Sequence, residues 1–211
     1  MSKQLFFQKP FKYTFFNATL ILAGINALVL VATFAIPNLP TLMALNPYNM
    51  IKMHWYWQPF TYMFVHGSIS HLFWNMLVLV SFGIHLERAL GSKEFILMYL
   101  VCGVISGLLS FGVYVLTGQY GVFLMGASGA IYAILFAYAV AFPRAVVYLW
   151  GLIPVPAPIL VLIYTIIEVL SEVTGMGGSV AHLTHLFGFL AAFLYILIRM
   201  KINPFKDWKN S

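Results

Sequence analysis

Charge is what this sequence has least of. Five acidic and 11 basic residues among 211 leave 8% charged, against 62% hydrophobic and a mean hydropathy of +0.93. No soluble domain of this length stays hydrated on that balance, so the chain reads as an integral membrane protein. Cysteine is almost missing too: Cys102 stands alone inside an apolar stretch, which excludes an intrachain disulfide and a Cys-based metal site. Polar stretches are short. The longest, Pro37 to about Gln58, cannot bury a core of its own. Its prolines and the cluster Trp55, Tyr56 and Trp57 suit a partly ordered segment at the membrane interface. Internal repeats and low-complexity tracts are also absent, which argues against an inverted-repeat transporter.

What abounds is apolar length. Stretches at Tyr13–Ile36, Phe60–Leu86, Phe95–Leu116, Ser128–Phe142, Val155–Val173 and Val180–Met200 predict six membrane-spanning helices. Most approach the roughly 20 residues that cross about 30 Å of hydrocarbon. The fourth has 15 residues, which rise only about 22 Å. Ten of the 11 basic residues fall on one side of this arrangement and Lys52 alone on the other, which predicts that both termini are cytoplasmic. The net charge of +6 then reflects topology and attraction to membrane lipids, with no nucleic acid implied. The expected division is 1–12 a cytoplasmic segment, 13–200 the six-helix membrane domain and 201–211 a cytoplasmic tail. The first span ends in Ala35-Ile36-Pro37-Asn38, without a small-x-small cleavage pattern, and is expected to stay attached. The start is not Arg-rich or transit-like, which favours a bacterial plasma (inner) membrane.

Polar groups deep in apolar spans are costly and are usually kept for function. Gly126-Ala127-Ser128-Gly129 opens the short fourth helix, several ångströms below the outer surface if that helix ends at the cytoplasmic face. His182 and His185 lie near the start of the last span, His185 about 9 Å down at 1.5 Å per residue. A serine needs a base to become a nucleophile, and a neutral imidazole is the commonest one. At a helix N-terminus, Ser128 would also have unpaired N–H groups and the positive dipole end beside it, which favour an oxyanion. Gly126 permits the sharp turn into the helix and Gly129 the close approach of a neighbour. His71 and Asn75, four apart, share a helix face and could both donate to that oxyanion. The glycine-rich connection from Thr117 to Met125 is expected to dip into the membrane. The loop Thr174–Ser179 is expected to be a flexible lid.

Taken in order, these parts resemble the rhomboid intramembrane serine proteases. The set is His66, four residues, His71, then Asn75 in His-Leu-x-x-Asn-Met, Leu86-Glu87 and Leu90-Gly91-Ser92, Gly-Ala-Ser-Gly opening a helix, and His-x-x-Gly on the last helix. The resemblance covers the whole six-helix core. It implies an all-α, six-transmembrane-helix bundle whose short fourth helix starts below the outer surface, with the active site opening outward. It implies Ser128 as nucleophile and a last-helix histidine as base, a dyad with no acid partner required. Asn75, His71 and the backbone N–H of Ser128 would form the oxyanion site, Tyr132 would pack against the catalytic imidazole, and His66 would brace the outer loops. Its substrates would be transmembrane proteins, and no cofactor is implied. The family frame of a small residue, His, two residues, Gly, three residues and a small residue fits Thr184-His185-Leu186-Phe187-Gly188 with Ala192. That selects His185 as the base and leaves His182 to line a water path.

Plainer readings stand beside these. Gly-x-Ser-Gly alone is more often a packing face than a nucleophile. Glu168 and Glu172 on the fifth span could orient His185 as a third member, but are expected instead to face the outer loop or a polar cavity, since the dyad lacks an acid. His54 is expected at the interface and His85 at the cytoplasmic end beside Glu87. Metal or haem ligation by His66, His71, His182 and His185 is set aside, because no His-Glu-x-x-His is present and no Cys or Asp supports a zinc site. Two other functions compete: a non-catalytic rhomboid-like protein binding transmembrane segments, and a channel or small-solute transporter.

Overall fold

The computed structural model describes residues 10–149, 151–174 and 179–204. Most of the expected lid, residues 175–178, lies outside the described residues, as do 1–9 and 205–211 of the expected terminal segments. In chain order the helices are α1 (Ala18–Ala35), the short α2 (Leu39–Met43), α3 (Pro47–Lys52) and α4 (Gln58–Thr61), α5 (Ile69–Leu90), α6 (Ser92–Leu116) and α7 (Ser128–Ala141). A two-stranded hairpin, β1 (Val146–Leu149) and β2 (Ile153–Pro156), precedes α8 (Ala157–Thr174) and α9 (Ser179–Tyr195), which continues as a π-helical turn over Ile196–Met200. Four segments are long and apolar enough to cross a membrane: α1, α5, α6 and His182–Met200. Ser128–Ala141 and Ala157–Ser171 are shorter apolar helices.

Helix α7 is the centre of the bundle. It packs against α9, α6 and α5, and to a lesser extent α8. It is apolar all round, as a helix enclosed on every side must be: Ala130, Ala133, Ile134 and Ala139 are fully buried. A Cβ added to Gly188 of α9 would lie 2.2 Å from the carbonyl oxygen of Gly129, so the α7 and α9 backbones are in direct contact there.

The ends of the outer helices are held by two buried carboxylates. The N-cap residue of α1, Asn17, makes no side-chain cap. Glu87 of α5 supplies it instead, accepting from the N–H groups of Ala18 (2.6 Å) and Thr19 (2.9 Å), the Thr19 hydroxyl (2.7 Å) and the Ser92 hydroxyl (2.5 Å). Negative charge at a helix N-terminus is favourable, which gives Glu87 and Ser92 of the sequence pattern a physical role. Glu94 at the start of α6 accepts from the Tyr195 hydroxyl (2.5 Å) and from Arg199 Nε (2.5 Å) and Nη2 (2.7 Å), tying α6 to the end of the last helix.

Three expectations need correction. The second span starts at Ile69, not near Phe60, because Tyr62–Phe64 form a 3₁₀ turn whose side chains pack inward. Tyr62 is fully buried, with its hydroxyl donating to Gly103 O at 2.7 Å. A buried apolar turn and a lipid-facing helix have the same hydropathy. The first helix begins at Ala18 instead of Tyr13. The fold is also not purely α: Val146–Leu149 pairs antiparallel with Ile153–Pro156, Val147 opposite Val155, around a turn where Gly151 has φ +73°. Val and Ile suit that pleat, but their apolarity reads as continuation of the flanking spans.

Candidate active site

The segment leading to Ser128 is pinned by the chain between α1 and α5. Leu45 and Leu124 exchange both backbone hydrogen bonds at 2.9 Å. Asn46 Nδ2 donates to the carbonyls of Tyr120 (3.1 Å) and Val122 (2.8 Å), and Gly126 N–H to Tyr62 O (2.9 Å). These bonds satisfy non-helical backbone that lipid could not. Gly126 then turns the chain with φ +113°. A Cβ there would lie 2.7 Å from Cε1 and 2.8 Å from Nε2 of His71, so the imidazole occupies the space that the glycine leaves empty. Ser128 is the first residue of α7, where N–H groups have no helical partner.

A cavity of about 260 Å³ collects side chains from four helices: His71 and Asn75 of α5, Ser128 and Tyr132 of α7, Tyr164 of α8 and His185 of α9. The extended Ser68 caps α5 by accepting from His71 N–H at 3.0 Å, and this orients the first turn. One amide proton of Asn75 goes to His71 O at 2.9 Å; Asn carries a second, which is left for the cavity. The His185 ring stacks on Tyr132, centroids 4.2 Å apart and planes 8° from parallel. Ser128 and His185 border the same cavity, and among the described residues no hydrogen bond joins them.

His66 sits in the loop between the 3₁₀ turn and α5, edge-on to His71 with centroids 5.0 Å apart. Its Nε2 accepts from Ala127 N–H at 3.4 Å, directly beside Ser128. Burial, with the neighbouring His71 adding to it, pushes His66 down to about 4, so the ring is neutral and Nε2 can accept. The α9 backbone is registered from the other side: Ser106 Oγ of α6 donates to Thr184 O at 2.6 Å, and the Ser110 and Thr184 hydroxyls are 2.7 Å apart.

Glu168 takes the alternative position, toward the last-span histidines. It is 4% exposed and faces the candidate site, not the outer loop. One carboxylate oxygen, Oε1, lies 2.9 Å from His185 Nδ1 and also accepts from the Tyr132 hydroxyl; Oε2 lies 2.5 Å from His182 Nδ1. His182 Nδ1 therefore meets the same carboxylate as His185. Of the metal-capable groups among the described residues, Glu168, His182 and His185 converge, with ligand atoms all within 4.8 Å of one another. The histidine quartet weighed from sequence does not. The side chain of Glu172 lies outside what the structure describes. Sequence reasoning weighed Glu168 as a third member beside His185 and set it aside, although a carboxylate in an apolar span always requires a partner.

The Rhomboid domain family matches residues 54–202. The chain belongs to the rhomboid family. Over 81 residues it is 43% identical to the mitochondrial presenilin-associated rhomboid-like proteins of Rattus norvegicus and Homo sapiens, a match covering 38% of this chain and 21% of each of theirs. RHOMBOID-like protein 1 of Arabidopsis thaliana is 30% identical over 171 residues, 79% of this chain and 41% of that one. This rhomboid therefore matches well under half the length of these relatives. The mitochondrial names among them lend no support to the bacterial plasma membrane expected from the sequence.

Proposed function

We propose that this rhomboid is an intramembrane serine endopeptidase that hydrolyses peptide bonds in or next to transmembrane segments of other proteins. The observation that carries the reading is the single cavity that joins Ser128, His185, His71 and Asn75, residues spread over more than a hundred positions of sequence. Ser128 attacks the scissile carbonyl carbon while its proton passes to His185. The oxyanion rests on Asn75, His71 and the Ser128 N–H. His185 then protonates the departing amine, and water releases the acyl group by the same route. Tyr132 holds the plane of the base, His66 braces the turn at Ala127, Gly126 gives His71 its space, and Gly129 gives Ser106 of α6 and Thr184 of α9 theirs.

In this reading α7 and α8 complete a six-span bundle, α7 being the short helix that starts below the outer surface, with both termini on the Lys- and Arg-rich side. Helix α5 contributes Trp74 and Val78 to the cavity wall and α8 contributes Tyr164. A substrate helix reaches the cavity between them and unwinds locally, so weak helix formers near its outer end favour cleavage. The deciding experiment is hydrolysis of a model transmembrane substrate by purified protein, with fluorophosphonate labelling alongside. Activity and labelling lost in Ser128→Ala and His185→Ala support the reading, and a folded wild type that neither cleaves nor labels refutes it.

A further inference from the structure

The family resemblance implies a base that works without an acid, but His185 here has one. Glu168 of α8 is almost fully buried, and its two oxygens are shared among the candidate base, the tyrosine stacked on that base and His182. We propose that Glu168 is a positioning residue for the hydrolysis, holding His185 with its proton on Nδ1 and the Nε2 lone pair free for the Ser128 hydroxyl. This rests on the serine-peptidase reading above.

An ionised carboxylate only accepts hydrogen bonds, so an imidazole nitrogen facing it must carry the proton. At 2.9 Å, Oε1 therefore selects the Nδ1–H tautomer of His185 and leaves Nε2 basic. Tyr132 cannot do this. Stacking at 4.2 Å fixes the plane of the ring but is nearly indifferent to a half-turn about the Cβ–Cγ bond, which would exchange the nitrogens for carbons. The hydrogen bond breaks that degeneracy. His182 takes the other oxygen at 2.5 Å and stops the carboxylate rotating away from His185. With three donors on it, Glu168 has the partners that water would supply to a carboxylate outside the membrane. When the Ser128 proton reaches Nε2, the Nδ1 proton stays where it is, and the imidazolium forms beside a fixed negative charge.

The test compares wild type, Glu168→Gln, Glu168→Asp and Ser128→Ala in cleavage of the model substrate and in ¹⁵N spectra of histidine-labelled protein, the His185 signals being assigned from His185→Gln. A Gln amide can donate to Nδ1 and so favours the unproductive tautomer. Glu168→Gln should lower kcat by about 10²- to 10⁴-fold, with KM changed less than about threefold. Its His185 signals should move from the Nδ1–H pattern toward Nε2–H. Glu168→Asp, which keeps the acceptor on a shorter arm, should keep the Nδ1–H pattern and recover at least about tenfold of the lost kcat. Wild-type kcat in Glu168→Gln, or a His185 tautomer unchanged in it, overturns the proposal while leaving Ser128-dependent cleavage intact. An inert wild type refutes the peptidase reading instead, and the tautomer comparison still decides whether Glu168 sets the proton. Should Glu168→Gln fail to fold, the wild-type spectrum alone decides: a His185 that carries its proton on Nε2 instead of Nδ1 overturns the proposal.

Discussion

Gly188→Ala would force apart the two helices that carry the nucleophile and the base. The new Cβ would sit 2.2 Å from Gly129 O, 3.1 Å from Gly129 C and 3.2 Å from Tyr132 Cβ. Real Cβ atoms essentially never come within 3.0 Å of such a neighbour, so the shortfall is close to 1 Å. The obstacle is backbone, one residue from Ser128, and cannot rotate aside. Helices α7 and α9 must therefore separate by about 1 Å, and a misplacement of that size costs about 10²-fold in rate. Overpacking adds about 1–3 kcal/mol of destabilisation, about 2–4 °C in Tm per kcal/mol for a chain of this size. The assay is the rate of fluorophosphonate labelling and substrate cleavage, with thermal unfolding measured on the same detergent preparation. Gly112→Ala is the control: nothing lies within 4 Å of a Cβ there, and Gly to Ala inside a helix stabilises by about 0.5–1 kcal/mol. If Gly188→Ala labelled and melted like Gly112→Ala, the close backbone contact, and the alignment of Ser128 with His185 that depends on it, would be wrong.

Three further outcomes follow from the geometry. Asn75→Ala should cut turnover by about 10²- to 10³-fold while the protein still folds, since it removes one oxyanion donor; unchanged turnover would take Asn75 out of the oxyanion site. Glu87→Ala leaves the N–H groups of Ala18 and Thr19 without their acceptor. At about 1–3 kcal/mol for each buried unsatisfied group, the melting temperature should fall by several degrees, and a change below 1 °C would show that α1 finds another cap. His66 is depressed to about 4, so the unfolded chain binds its proton first and His66 contributes stability that is lost as pH falls from about 6.5 toward 4. Between pH 7 and pH 5 that amounts to about 2 kcal/mol. Thermal melts should show the loss in wild type and not in His66→Gln; equal losses in both would place the acid sensitivity elsewhere.

The histidines and Ser128 were readable because their chemistry is out of place in an apolar chain and their spacing is local. His71 and Asn75 stand one helical turn apart, and Gly126 to Gly129 form one contiguous turn, so the sequence alone puts each set on one surface. Glu168 was not readable in the same way. Tyr164, Thr165, Glu168 and Ser171 form a polar stripe that marks the inward face of α8, but the partners that Glu168 meets lie on the next helix, 14 and 17 residues on, and no local spacing names them. The start of α5 and the hairpin failed for a related reason. Tyr62, Met63 and Val155 are apolar and buried in protein, and hydropathy does not distinguish a protein interior from lipid. Thr184 departs from the commoner small alanine, and only the structure gives it partners in the serines of α6.

The hairpin has a mechanical consequence. Ala157 N–H bonds to Ala145 O at 2.9 Å, which anchors the foot of α8 to the chain leaving α7. Any lean of α8 therefore pivots near Ala157. Glu168 stands 11 residues up the helix, about 16 Å at 1.5 Å per residue. A tilt of about 5° then carries its carboxylate some 1.4 Å sideways, more than the slack of a hydrogen bond. In the proposed peptidase, a helix that swung out to admit a substrate would let go of His185 and one that settled back would grip it again, which would tie access to activation.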